Sequence, residues 1–105
     1  MPQYKAPLRD MQFLLHDVYN VESYYQDLGY EEVNKDLVDA ILTEGAKFTE
    51  NELDPCRQTG DEQGAKLVDG NVTLPDGFNR AYDAYRENGW GAMCWGTEWG
   101  SGFAS

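Results

Sequence analysis

Apolar residues return at helical spacing in several stretches of this chain, separated by short segments marked by glycine and proline. Leu8, Met11, Leu14, Leu15 and Val18 recur at steps of three and four, with Phe13 on the flank. That spacing sets them on one side of a helix, so it predicts a buried stripe of about three turns. The preceding residues hold Pro2 and Pro7 and read as extended, and Pro7 suits a first helical position, where a missing N–H costs nothing. Asn20 is placed to cap a second, short helix through Ser23, Tyr24 and Tyr25, which Gly29 ends.

The longest periodic stretch predicts a helix over 35–54. Leu37, Val38, Ile41, Leu42, Gly45, Phe48 and Leu53 share one side; Lys35, Asp36, Asp39, Thr43, Glu44, Lys47, Glu50 and Asp54 lie mostly on the other. Such a helix spans about 30 Å. Pro55 bounds it, because proline lacks an N–H and biases the residue before it away from helix. Gly45 is small among large neighbours, which predicts a second helix approaching closely there.

Residues 57–75 carry Gly60, Gly64, Gly70 and Pro75 and read as irregular, with one exception. Asp69-Gly70 stands between Leu67-Val68 and Val72-Thr73, and Asp-Gly tolerates the positive φ angles of a tight hairpin turn. A last helix follows, with Asp76 as its expected cap, Phe78, Ala81, Tyr82 and Tyr85 on its apolar face, and Asn88-Gly89 as its stop. The expected fold is mainly α: a small bundle of about four helices with a minor β-hairpin or irregular segment near 65–75.

A length of 105 residues suits one domain, and 41% apolar with 13% aromatic content argues against disorder. The net charge of −11, spread along the whole chain, repels phosphate backbones and anionic lipid, so neither nucleic acid nor a membrane is an expected partner. Cys56 and Cys94 are far apart and form no Cys-x-x-Cys pair. The opening Met1-Pro2-Gln3-Tyr4-Lys5-Ala6-Pro7 lacks the charged and apolar regions of a signal peptide, so a reducing cytoplasmic setting is expected.

Candidate chemistry is sparse. His16, the one histidine, reads as a surface residue near a helix end, because no second histidine supports a metal or catalytic role. Asp61-Glu62 after Gly60 reads as a solvated loop pair without calcium-loop spacing. Cys94 has no cation beside it in sequence and reads as a buried, inert thiol. No phosphate loop and no Gly-x-Ser-x-Gly elbow is present. The sequence therefore predicts no catalytic, cofactor-binding or metal-binding residue.

All three tryptophans, Trp90, Trp95 and Trp99, fall in the final segment from Trp90 to Ser105, among glycines and beside Met93 and Phe103. An apolar, glycine-broken segment on an acidic chain predicts packing against further protein, with Trp90, Met93 and Trp99 as the candidate interface residues.

The run Glu44-Gly45-Ala46-Lys47-Phe48-Thr49-Glu50-Asn51-Glu52-Leu53-Asp54-Pro55, followed by Arg57, Gly60-Asp61 and Gly64, resembles the N-terminal helical domain of acyl-CoA dehydrogenases. So does Asn88-Gly89-Trp90-Gly91 with Glu98-Trp99-Gly100. The stretch from Tyr4 to Met11 and through Phe13-Leu14-Leu15 is similar to the extra N-terminal segment of the longer bacterial branch, to which the methylthiopropanoyl-CoA dehydrogenases belong. Asp69-Gly70 through Thr73, with Pro75, Gly77 and Phe78, also fits that branch.

The resemblance implies an FAD-dependent oxidoreductase of fatty acid metabolism that dehydrogenates an acyl-CoA thioester between its α and β carbons. It implies a homo-oligomer that passes electrons to an electron-transferring flavoprotein. The catalytic base and most flavin contacts belong to a central β-domain and a C-terminal helical domain, which lie beyond this chain. On this reading residues 1–34 are the branch-specific extension and 35–105 begin the N-terminal domain. The chain is then a scaffold whose Trp90, Met93 and Trp99 help wall the acyl pocket, with no flavin and no activity of its own. The alternative is a freestanding acidic helical module that binds a protein and catalyses nothing.

Overall fold

The computed structural model describes residues 3–95 and Glu98. Pro7 sits one position ahead of helix α1 (Leu8–Gln12), with α1 running directly into a π turn at Phe13–Val18. A π turn holds an extra residue, so it breaks the spacing that would keep the apolar stripe on one line. The predicted stripe is not buried. Met11, Phe13, Leu14 and Val18 are exposed, and Leu8 and Leu15 are half-buried. Asn20 precedes helix α2 (Val21–Asp27) in a left-handed conformation, φ +50°, and its side chain caps nothing, because capping needs an extended backbone that aims the side chain at the helix N–H groups. Gly29, φ +92°, closes this element as expected.

Helix α3 (Lys35–Phe48) starts where Asn34 accepts a hydrogen bond from the Leu37 N–H at 2.8 Å, a true N-cap. Its last residues pass into a second π turn, Thr49–Leu53, so the helical path reaches the expected end with a wider final turn. Pro55 does more than stop it. It occupies the first position of helix α4 (Pro55–Gln63), the place where proline is best tolerated. This helix lies in the stretch that reads as irregular from sequence, and it carries Asp61 and Glu62 on its last turn, not in a loop. Gly60 explains the difference. A Cβ there would come within 2.8 Å of the Phe78 ring, so the glycine serves close packing and does not mark a break.

The hairpin forms as expected. Strands β1 (Lys66–Val68) and β2 (Asn71–Thr73) pair antiparallel with Leu67 opposite Val72, and Asp69 and Gly70 both have positive φ, as a type I′ turn requires. Helix α5 (Phe78–Glu87) follows Gly77, which takes the cap position in place of Asp76. Asp76 instead pairs with the end of α4: its N–H donates to Gln63 Oε1 at 2.9 Å and its Oδ2 accepts from Gln63 Nε2 at 3.1 Å. Asn88 and Gly89, φ +76°, end α5, and a short 3-10 turn, Trp90–Ala92, leads away.

These elements lie in a flat layer. The molecule measures 54 × 35 × 16 Å, its thin dimension little more than one helix with side chains, about 10–12 Å. Its radius of gyration is 17.3 Å, against about 13 Å for a compact chain of this length. Accessible surface is 7830 Å², where a compact monomer of this mass exposes about 6,000 Å². Among the described residues, Val33, Ala46 and Ala81 form the buried apolar core, and Pro75 is buried as well. Stable domains place a second layer over the first. Among the described residues, no helix is long and apolar enough to cross a membrane.

Candidate functional site

Two features bring chemistry-bearing residues together. The first is aromatic. Phe48, at the end of α3, meets Tyr85 of α5 and Trp90 of the 3-10 turn, with ring centroids 6.1 Å apart in both pairs and tilted planes. Trp90 lies across α3 at Gly45: a Cβ there would stand 3.6 Å from Trp90 Cη2. The close approach expected at Gly45 is thus made by an indole and not by a helix. Beside it runs a groove of about 430 Å³, floored by Leu37, Ile41, Phe48 and Trp90, with Glu44 and Glu52 at its edge.

Of the predicted interface residues, Trp90 is half-buried in this cluster and Met93 stands on the surface, 39% exposed. Trp99 lies outside the described residues. Trp95 is 58% exposed, a large cost for an indole unless something covers it. Cys94 is exposed as well, contrary to the buried thiol expected. On the other side of Tyr85 a second apolar groove, about 420 Å³, is formed by Leu53, Cys56, Phe78, Ala81 and Tyr82.

The second feature overturns the surface reading of His16. Its side chain is 6% exposed and lies between two carboxylates. Nε2 is 2.6 Å from Asp39 Oδ1 of α3, and Nδ1 is 3.1 Å from Glu22 Oε1 of α2. Both ring nitrogens face acceptors, so the imidazolium form, with two N–H donors, satisfies them best. The hydrogen bond to Asp39 is the main reason its pKa is raised above the ordinary 6.5; burial opposes, and the charges of Asp39 and Glu22 add to the rise. Gln12 Nε2 also donates to Asp39, at 3.3 Å. Glu22 Oε2 is buried without a hydrogen-bond partner.

The histidine and its carboxylates come from three separate elements, so no local spacing in the chain announces them. They do not form a metal centre. The carboxylates sit at opposite ring nitrogens and share no point where an ion could be held, and the described residues contain no group of three ligands suited to one. The arrangement favours the charged imidazole and joins helices.

No family model matches the chain. Over 97 residues, 92% of its length, the chain is 32% identical to 3-methylmercaptopropionyl-CoA dehydrogenase of Ruegeria pomeroyi (strain ATCC 700808 / DSM 15171 / DSS-3). It spans 16% of that protein. The resemblance to an acyl-CoA dehydrogenase seen in the sequence therefore extends over nearly the whole chain.

Proposed function

We propose that this chain is the N-terminal helical part of an FAD-dependent acyl-CoA dehydrogenase, serving as scaffold and as part of the wall of its acyl pocket. The observation that carries the reading is the open layer itself. Trp95, Met93, Phe13, Leu14 and Val18 remain exposed around a core of three small apolar residues, as expected of a piece shaped to lie against more protein. The similarity to a dehydrogenase of which this chain spans 16% supports the same reading.

The described residues do not fit the flavin cofactor. Its diphosphate needs a cradle of free N–H groups or clustered cations. The chain has 8 Lys and Arg against 19 Asp and Glu, a balance that opposes a diphosphate. The flavin and the base that takes the α-proton are therefore assigned to the remaining domains, and no step of the dehydrogenation is assigned here. What this chain offers is an apolar surface. The groove beside Trp90 and Phe48 offers an apolar lining that suits one wall of a pocket for an alkyl chain.

The test has two arms. The 105-residue chain, purified alone, is expected to be colourless and without acyl-CoA dehydrogenase activity. A yellow preparation with stoichiometric flavin would falsify the assignment. In the full-length enzyme, Trp90→Ala and Met93→Ala are expected to lower acyl-CoA turnover; unchanged turnover and flavin content remove the pocket-wall role. The alternative, a freestanding acidic module that docks a protein on its aromatic end, is favoured by the same exposed Trp95. It is separated by whether the coding DNA continues into a β-rich segment and further helices. The cytoplasm, homo-oligomerisation and electron transfer to a flavoprotein belong to the proposal for the whole enzyme.

A further inference from the structure

We propose that His16 is a protonation-dependent clasp, holding α2 against the helical layer while both ring nitrogens carry protons and releasing it when one is lost. The inference stands on geometry and does not depend on the enzyme assignment. His16 lies in the π turn after α1, Glu22 in the first turn of α2 and Asp39 in the middle of α3, so one ring joins three elements.

The two sides of the clasp are unequal. The contact to Asp39 is 2.6 Å and the contact to Glu22 is 3.1 Å. A neutral imidazole has one N–H and one lone pair. The proton that stays is the one on Nε2, where the acceptor is nearer. Nδ1 then turns a lone pair toward Glu22 Oε1, and attraction becomes repulsion. Glu22 has nothing in reserve, because its other oxygen is already buried without a donor. With Oε2 buried and unpaired, loss of the donor at Oε1 favours moving the carboxylate out to water, and α2 moves with it.

The other ties on α2 lie at its C-terminal end, away from Glu22. No residue of α2 is buried, and Tyr24 is 62% exposed. Asn20 supplies no cap at its start. Gln26 donates to the carbonyls of Glu31 and Val33, and Tyr25 meets the edge of Tyr30, so the remaining ties run through the segment that follows α2, which ends at the buried Val33. Around the ring, α1 and its π turn present Arg9 and Asp17, α2 presents Glu22, and α3 presents Lys35 and Asp39. The two carboxylates in direct contact favour the imidazolium, burial opposes it, and the pKa is raised.

The test is a ring-proton NMR titration of His16 in the 105-residue chain, run with residue-resolved amide hydrogen exchange corrected for the intrinsic effect of pH. As His16 loses its proton, protection over Val21–Asp27 is expected to fall about tenfold while that of α3 and α5 holds. Glu22→Gln provides the second measurement. Its amide can donate to the bare Nδ1, so α2 should stay protected on both sides of the titration. Constant protection of α2 in the wild-type chain overturns the proposal. So does an equal loss in every helix, or a Glu22→Gln chain that loosens at α2 as the wild type does.

Discussion

Replacing Gly45 by alanine is expected to stabilise the chain, although a glycine beneath an indole suggests a position with no room. Gly45 lies inside α3, where glycine costs about 0.8–1.0 kcal/mol relative to alanine because its backbone loses more freedom on folding. The new Cβ would stand 3.6 Å from Trp90 Cη2 and 3.9 Å from Trp90 Cζ3, ordinary contact distances. No rotamer has to change, and the Gly45 carbonyl keeps its hydrogen bond from Thr49 Oγ1 at 2.8 Å. Covering the methyl with the indole adds a few tenths of a kcal/mol, less than the ~0.8 of a fully buried methylene. The sum is about 1–1.5 kcal/mol. With a urea dependence of about 1–2 kcal/mol per molar, the unfolding midpoint should rise by roughly 0.5–1.5 M at constant slope. Urea titration followed by circular dichroism reads this directly. A midpoint that stays or falls would mean that Trp90 presses on α3 more closely than the contact distances allow, and the reasoning about the aromatic cluster would fail with it.

Gly60→Ala should go the other way: its Cβ would meet Phe78 Cζ at 2.8 Å and Cε1 at 3.0 Å, and pushing the ring aside should lower stability by about 1–2 kcal/mol in the same titration despite the better helix former. Asn34→Ala should cost about 1 kcal/mol by removing the acceptor for the Leu37 N–H, read as a lower melting temperature. The stability contributed by His16 has a defined pH dependence. Its folded pKa is raised above 6.5, so the contribution is complete below that pH and is lost as pH rises through the folded value. His16→Gln should therefore be less stable than the wild type in mild acid and approach it in alkali; a stability gap independent of pH would count against the imidazolium.

Where sequence and structure agree, the information was local. The periodic stretch from Leu37 to Phe48 is a helix because residues three and four apart share a face, and Asp69-Gly70 turns a hairpin because two neighbouring residues accept positive φ. Where they disagree, a partner from elsewhere in the chain decided. Gly60 reads as a breaker until Phe78 is seen above it. Asp76 reads as a cap until Gln63 occupies both its N–H and its carboxylate. His16 reads as a surface residue because the carboxylates that enclose it are carried by α2 and α3.

Helical character, the hairpin, the acidic surface and the likeness to acyl-CoA dehydrogenases were all legible in the order of residues alone, since each depends on neighbours along the chain or on composition. The burial of each residue was not. Leu14 and Val18 carry the pattern of a core face and still meet solvent, because burial requires a second surface, and in this layer none lies over them. The clasp at His16 likewise exists only once three elements meet, because a charge is stabilised by what surrounds it in space.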